Sequence, residues 1–200
     1  SASSSEENRR SANNRLEEIR RPLRVKPALV NHIPKRRKEV SWRPWGGLHS
    51  ENKVKKELRR IDDELKKLSS GANFPVEMQS VARVNSAGKV EKLKKADADV
   101  LLVYAAGGPT GWYTNLNKSD KTMLWFLRHR SGPVSLWYEI FHPRFLRQNT
   151  DDVKWEKTST HDAVVDDYDG LEWRLRALCG MVNTADTTIA AVGGAGGWGA

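Results

Sequence analysis

The sequence predicts a mainly β (α+β) chain, an antiparallel, strand-rich domain preceded by a basic amphipathic helix and a disordered basic N-terminal arm. Three observations predict it. Residues 1–68 carry 19 Lys and Arg against 10 Asp and Glu, an excess of nine, which equals the excess of the whole 200-residue chain. One apolar stripe at helical spacing runs from Val54 to Leu68. Beyond it, short apolar runs alternate with Gly, Pro and Asn turn signals, the pattern of strands joined by tight connections.

The arm, residues 1–49, spaces its cations in clusters: Arg9 and Arg10, Arg20 and Arg21, Arg24, Lys26, then Lys35, Arg36, Arg37 and Lys38. Pro22, Pro27, Pro34 and Pro44 interrupt any long helix. With few apolar residues, the stretch is expected to stay extended and disordered on its own. Clusters spaced this way can follow a phosphate backbone and release its counterions. Trp42 and Arg43, in the run Ser41 to Trp45, pair an indole that could stack on an unpaired base with a guanidinium for phosphate. The same indoles could instead anchor the arm to the folded domain.

The helix is expected over residues 50–69, with Ser50 as its N-cap and Gly71 as its stop. Val54, Leu58, Ile61, Leu65 and Leu68 form its buried stripe, and docking on the chain's own sheet is the default. Lys55, Lys56, Arg59 and Arg60 are placed on its phosphate-binding back.

Residues 70–192 are read as the strand-rich domain, and residues 193–200 as a Gly-rich tail holding Trp198. Pro75 to Val84 and Lys89 to Leu93 read as a hairpin around the turn Asn85 to Gly88. Asp99 to Ala106 is a continuous apolar run, as in a central buried strand. Gly107 to Gly111 follows it. Lacking a GxxxxGK[ST] or GxGxxG pattern, it is assigned to turn chemistry rather than to a phosphate cradle. Lys121 to His129 and Pro133 to Phe141 read as an antiparallel hairpin, with Trp125 and Trp137 on facing strands. Arg128, Arg130, Arg144 and Arg147 form a second basic patch at its edge. Leu171 to Met181 reads as a short helix and Thr187 to Val192 as a last strand.

Chemistry is sparse. His32, His49, His129, His142 and His161 fall in no metal-ligand spacing, and no nucleophile elbow is present. The single cysteine, Cys179, excludes an internal disulfide and lies in an apolar stretch. Asp162, Asp166, Asp167 and Asp169 crowd together without EF-hand spacing, and turn and cap signals explain them more economically than a bound cation. No catalytic residue, metal or cofactor is assigned, and an enzyme without a motif stays the third choice. No run is long and apolar enough to span a membrane, and no secretory signal opens the chain.

A basic arm on a neutral, aromatic-rich domain resembles the layout of coat and nucleocapsid proteins of small RNA viruses. That resemblance implies a capsid subunit of the virion and host cytoplasm. Its arm would package single-stranded RNA without sequence preference, its domain would bind copies of itself, and it would take no small-molecule substrate. The layout is also similar to some ribosomal proteins, which implies the alternative of a structural component of a ribosome or organellar ribonucleoprotein.

Overall fold

A computed structural model describes residues 20–33, 35, 38, 48–132, 158–185 and 187–188. Their fold corrects the expected class. It is α/β, built on a parallel sheet, with no antiparallel pair among the described strands.

The strands and helices follow in the order β1 Leu23–Val30, α1 Glu51–Gly71, β2 Val76–Met78, β3 Ala82–Val84, α2 Ala87–Lys94, β4 Val100–Ala105, α3 Thr110–Leu116, β5 Thr122–Leu127, β6 Ala163–Val165 and α4 Tyr168–Ala185. A single 3-10 turn, Thr160–Asp162, leads into β6. The sheet order is β2-β1-β4-β5-β6, with β3 also paired to β1. Strands β2 and β3 are two halves of one edge strand: β2 pairs Leu23 to Val25, and β3 pairs Ala28 to Val30.

The break between them has a cause in the sequence. In a parallel ladder, alternate residues turn both backbone groups to the same neighbour. The Leu23 and Asn31 amides donate to Pro75 and Val84, and the Val25 carbonyl accepts from Gln79, so odd-numbered residues of β1 face the edge strand. Pro27 is odd and has no N–H. The edge strand leaves the ladder at that point, between Met78 and Ala82, and Lys26 Nζ donates to the Ser80 carbonyl at 2.8 Å.

The arm reading therefore fails between residues 23 and 30. This stretch is the second strand in from the edge, with Leu23, Val25, Ala28, Leu29 and Val30 all buried. The chain just before it is clipped to α4: the Arg21 amide donates to Asn183 Oδ1 at 2.9 Å, and Asn183 Nδ2 donates back to the Arg21 carbonyl at 3.1 Å.

Helices cover both faces, which is why strands such as β4 are apolar on both sides. Val54, Ile61, Leu65 and Leu68 of α1 and Leu171, Leu175 and Cys179 of α4 pack on Leu23, Val25, Leu29, Leu102 and Tyr104. Val90 and Leu93 of α2 and Tyr113 and Leu116 of α3 pack on the opposite face, against Val30, Leu101, Val103 and Trp125. Each large aliphatic side chain so buried contributes about 1.5–3 kcal/mol relative to exposure.

Two further elements correct the expected hairpins. Residues 87–94 form α2 rather than a return strand, because the Ser86 hydroxyl caps the Lys89 amide and Val90 and Leu93 share one face. Strand β5 pairs in parallel with β4 and β6, which is the arrangement among the described strands in place of an antiparallel hairpin. The expected strand Pro133 to Phe141, with Trp137, lies outside the described residues. Thr187 and Thr188 are described without strand structure, and the rest of the expected last strand lies outside.

Helix α1 forms as the stripe predicts. The Ser50 hydroxyl accepts from the Lys53 amide at 3.3 Å, and the helix docks on the chain's own sheet. Helix α4 is longer than the expected 171–181, extending from Tyr168 to Ala185.

Candidate functional site

A parallel sheet gathers the loops that follow its strands along one edge, the C-terminal edge. In doubly wound sheets, ligands bind there where successive connections leave to opposite faces. Here that point lies between β1 and β4. The connection after β1 enters α1 on one face, and the connection after β4 enters α3 on the other. Val30 is paired with Ala105, and the Ala106 amide donates to the Val30 carbonyl at 2.9 Å, so the two strands end together.

Asn31 is the first residue past β1. It is fully buried. Its Oδ1 accepts from Arg83 Nε at 3.3 Å, and Arg83 in turn forks onto Glu51 with bonds of 2.6 and 3.0 Å. The other amide atom, Nδ2, has no hydrogen-bond partner among the described residues. The assignment of the two atoms is fixed by Arg83: Nε is a donor, so it must meet the oxygen. A buried donor left unpaired costs on the order of 1–3 kcal/mol, which native folds rarely tolerate without a use for it.

On the β4 side, Gly107 and Gly108 have φ of 144° and 114°, where side chains are strained. A Cβ on Gly108 would lie 2.9 Å from Trp112 Cε3. Tyr113 Oη donates to the Gly107 carbonyl at 2.7 Å and holds the loop from below. The sequence pattern assigns this loop to a turn. It lies at the end of the central strand, beside the end of β1, with the Trp112 ring packed close to Gly108. Asn31 is the residue that sequence reasoning missed outright. A lone Asn after an apolar run carries no signal until the run is known to be a strand.

The third loop, after β5, is closed by an acid. Asp166 Oδ2 accepts from the backbone amides of His129 at 2.9 Å, Arg130, and Ser131 at 3.3 Å, while Oδ1 accepts from the Ser131 hydroxyl. Burial would raise the Asp166 carboxyl, but the Ser131 hydroxyl and these amides hold it below its ordinary value. Two other acids of the same cluster have local tasks: Asp162 accepts from the Ser159 amide at 2.6 Å, and Asp167 from the Gly170 amide at 2.9 Å. Among the described residues, no three metal-ligating side chains are placed to share an ion.

Behind that loop lies a buried charge network. Arg128 is fully buried; its Nε donates to Glu57 at 2.5 Å and its Nη2 to Glu64 at 2.7 Å. Tyr168 Oη donates to Glu64 at 2.6 Å and lies 3.1 Å from Tyr104 Oη. The guanidinium carbon sits 5.6 Å from the Tyr104 and Phe126 ring centroids. Burial pushes the Glu57 carboxyl up from its ordinary value against the pull of Arg128. Glu64 moves the other way: burial is outweighed by its bonds from Arg128 and Tyr168, which lower it. Arg128 stays charged despite burial because both acids face it. Glu64 is the carboxylate that gains from the pairing, and Glu57 is held ionised at a cost. Both acids sit on the inner side of α1, so a helical projection of residues 54–68 that flagged acids among the apolar positions would have exposed them.

The residues assigned to RNA on sequence grounds are dispersed. Arg21 and Arg24 pair with Asp99 at 3.1 and 3.5 Å, Arg24 also with Asp97 at 2.6 Å, and Lys26 is tied to Ser80. Arg60 bonds Glu64 at 3.0 Å and the Ser131 and Gly132 carbonyls. Arg128 is internal, and only Arg130 of its patch is exposed among the described residues. Arg20, Lys35, Lys38, Lys55, Lys56 and Arg59 are exposed. Arg9, Arg10, Arg36, Arg37, Trp42, Arg43, Arg144 and Arg147 lie outside the described residues. Cys179 is buried against the Pro75 carbonyl. No described helix is long and apolar enough to cross a membrane.

No family model matches the chain, and neither does any curated protein or solved structure at a significant level.

Proposed function

We propose that the chain is a ligand-binding α/β domain that takes a small anionic molecule at the C-terminal edge of its sheet, between β1 and β4. The observation that carries this reading is the pairing of a positive-φ glycine loop, Gly107-Gly108, with an Asn31 amide nitrogen that has no partner among the described residues, across two adjacent strand ends. The sign of the ligand follows from charge. The connection from Asn31 to Ser50 holds Lys35, Arg36, Arg37, Lys38 and Arg43 against the single acid Glu39, and both of its ends lie at this edge. Lys35 and Lys38 are exposed.

Amide resonances of the full chain, followed during titration with inorganic phosphate, test the reading. The amides of residues 31–33 and of Gly107, Gly108 and Thr110 should shift saturably, while those of Ala98, Asp99 and Lys121 at the opposite edge should stay still. A titration that moves neither group, or moves both equally, removes the reading.

RNA packaging by a capsid subunit is the second reading, and one observation favours it: Lys55, Lys56, Arg59 and Lys67 stand exposed on α1. A generic single-stranded RNA added to the same sample would then shift α1 amides, with a salt dependence that scales with the phosphates contacted. Shifts confined to the crevice loops would count against it.

A further inference from the structure

We propose that Asn31 is the residue that recognises the bound anion, its Nδ2 donating a hydrogen bond to a ligand oxygen; the inference rests on the reading of the crevice given above. Asn31 has every mark of a side chain set for such a task. It is fully buried, so water in bulk does not satisfy it. Its oxygen is committed to Arg83, and Arg83 is held in turn by the fork onto Glu51 at the start of α1. The amide is therefore locked in one orientation, and the nitrogen is the free end. Its own backbone amide is also committed, donating to the Val84 carbonyl at 3.0 Å. The edge strand β3 thus clamps the residue through Arg83 and Val84, while Nδ2 has no hydrogen-bond partner among the described residues.

The position matters as much as the donor. Asn31 follows Val30, whose ladder partner Ala105 is two residues before Gly107. A ligand lying over the ends of β1 and β4 would meet the Asn31 amide from one strand and glycine backbone from the other. Donors of this kind complement a phosphate or carboxylate oxygen. Both ligand groups share this chemistry, and the titration separates them.

The test uses the full chain and two probes, inorganic phosphate and acetate. The Asn31 side-chain amide gives its own pair of resonances, readable beside the Gly107 and Gly108 backbone amides. The expected result is that all three sets shift together and saturate at one concentration, for phosphate, acetate or both. Asn31→Asp keeps the shape and the acceptor toward Arg83 but puts an anionic oxygen where the donor was. It should weaken binding at least about tenfold, since a lost charge-assisted hydrogen bond is worth roughly one such factor or more; the parent's own Asn31 side-chain resonances decide the question if the variant is less stable. If the glycine amides saturate and the Asn31 side chain does not move, Asn31 is not the recognising residue though the crevice still binds. If Asn31→Asp binds phosphate as well as the parent, the inference fails in the same way. If nothing shifts, or only a long-lived water is detected at Asn31, both the inference and the crevice reading fall.

Discussion

Replacing Arg128 with Met should destabilise the fold by about 3–5 kcal/mol, because it leaves a buried carboxylate without its partner. The structure sets the size. The Arg128 side chain is 0% exposed and Glu57 3%, so neither can turn to water when the other is lost. Glu64 is less affected, since it is 26% exposed and keeps Arg60 and Tyr168. Ordinary domains hold about 5–15 kcal/mol in total, so the loss should be plain in urea unfolding. Glu57→Met alone should cost less, as Arg128 retains Glu64. The double variant, with a methionine at each position, should recover most of the loss. A coupling of at least about 2 kcal/mol is expected from the cycle. The pH dependence has a definite sign. Burial already raises Glu57 in the folded state, and removing Arg128 raises it further. A raised group favours the folded state below its unfolded value and opposes it as pH climbs through the folded value. The Arg128→Met deficit should therefore be full at neutral pH and shrink as pH falls toward the unfolded glutamate value of about 4.3. Single-variant effects that simply add, or a deficit that stays flat between those limits, would refute the reasoning.

Four other substitutions separate the parts of the structure. Gly108→Ala should cost about 1–3 kcal/mol, from its positive φ and the collision with Trp112. Gly111→Ala, three residues on in α3 with open space around it, should stabilise by about 0.4–1 kcal/mol; thermal melts of the two variants should move in opposite directions. Asp166→Ala removes the acceptor for three amides and leaves a non-glycine residue at φ 49°, so urea unfolding should report a loss of about 2 kcal/mol or more. Because the Asp166 carboxyl is held low, the parent's advantage over that variant should be present above the unfolded aspartate value of about 3.9 and disappear as pH falls through the lower folded value. Ser50→Ala should cost about 1 kcal/mol by uncapping α1, measured the same way.

Some of this fold was legible in the chain. Strands β4 and β5 announce themselves as apolar runs, and α1 by a stripe bounded by Ser50 and Gly71. Strand β1 was hidden by its own composition. Arg24, Lys26 and Pro27 interrupt the apolar residues 23–30, and they sit inside a window whose excess of cations suggests solvent. The structure shows why such residues are tolerated there. Arg24 reaches Asp97 and Asp99 at one edge, Lys26 caps a carbonyl in the gap, and Pro27 faces the gap itself. Strand direction was the second failure. A run buried on both faces is what parallel sheets require, but Gly132 and Pro133 after β5 look like a hairpin turn. Local turn chemistry says nothing about which neighbour a strand takes.

The candidate site was unreadable for a related reason: its parts acquire meaning only from topology. Gly107 and Gly108 are the same two residues in a hairpin turn and in a ligand crevice. What distinguishes the cases is that β1 lies beside β4, so that residues 31 and 107 follow adjacent strand ends although 76 positions separate them. Once β1 is in the sheet, the charge argument also changes subject. Arg21, Arg24, Lys26, Arg60 and Arg128 are consumed in holding the fold together. Net charge counts those residues as if they were free, and so it overstated what remains for a polyanion. The cations that can still meet a ligand are fewer and more local. Among them, Lys35 and Lys38 belong to the connection from β1 to α1, whose two ends lie at the C-terminal edge of the sheet. On the reading proposed above, Lys35, Lys38 and a locked amide donor would serve a small anion held at one point, where a long polymer would need cations along its length.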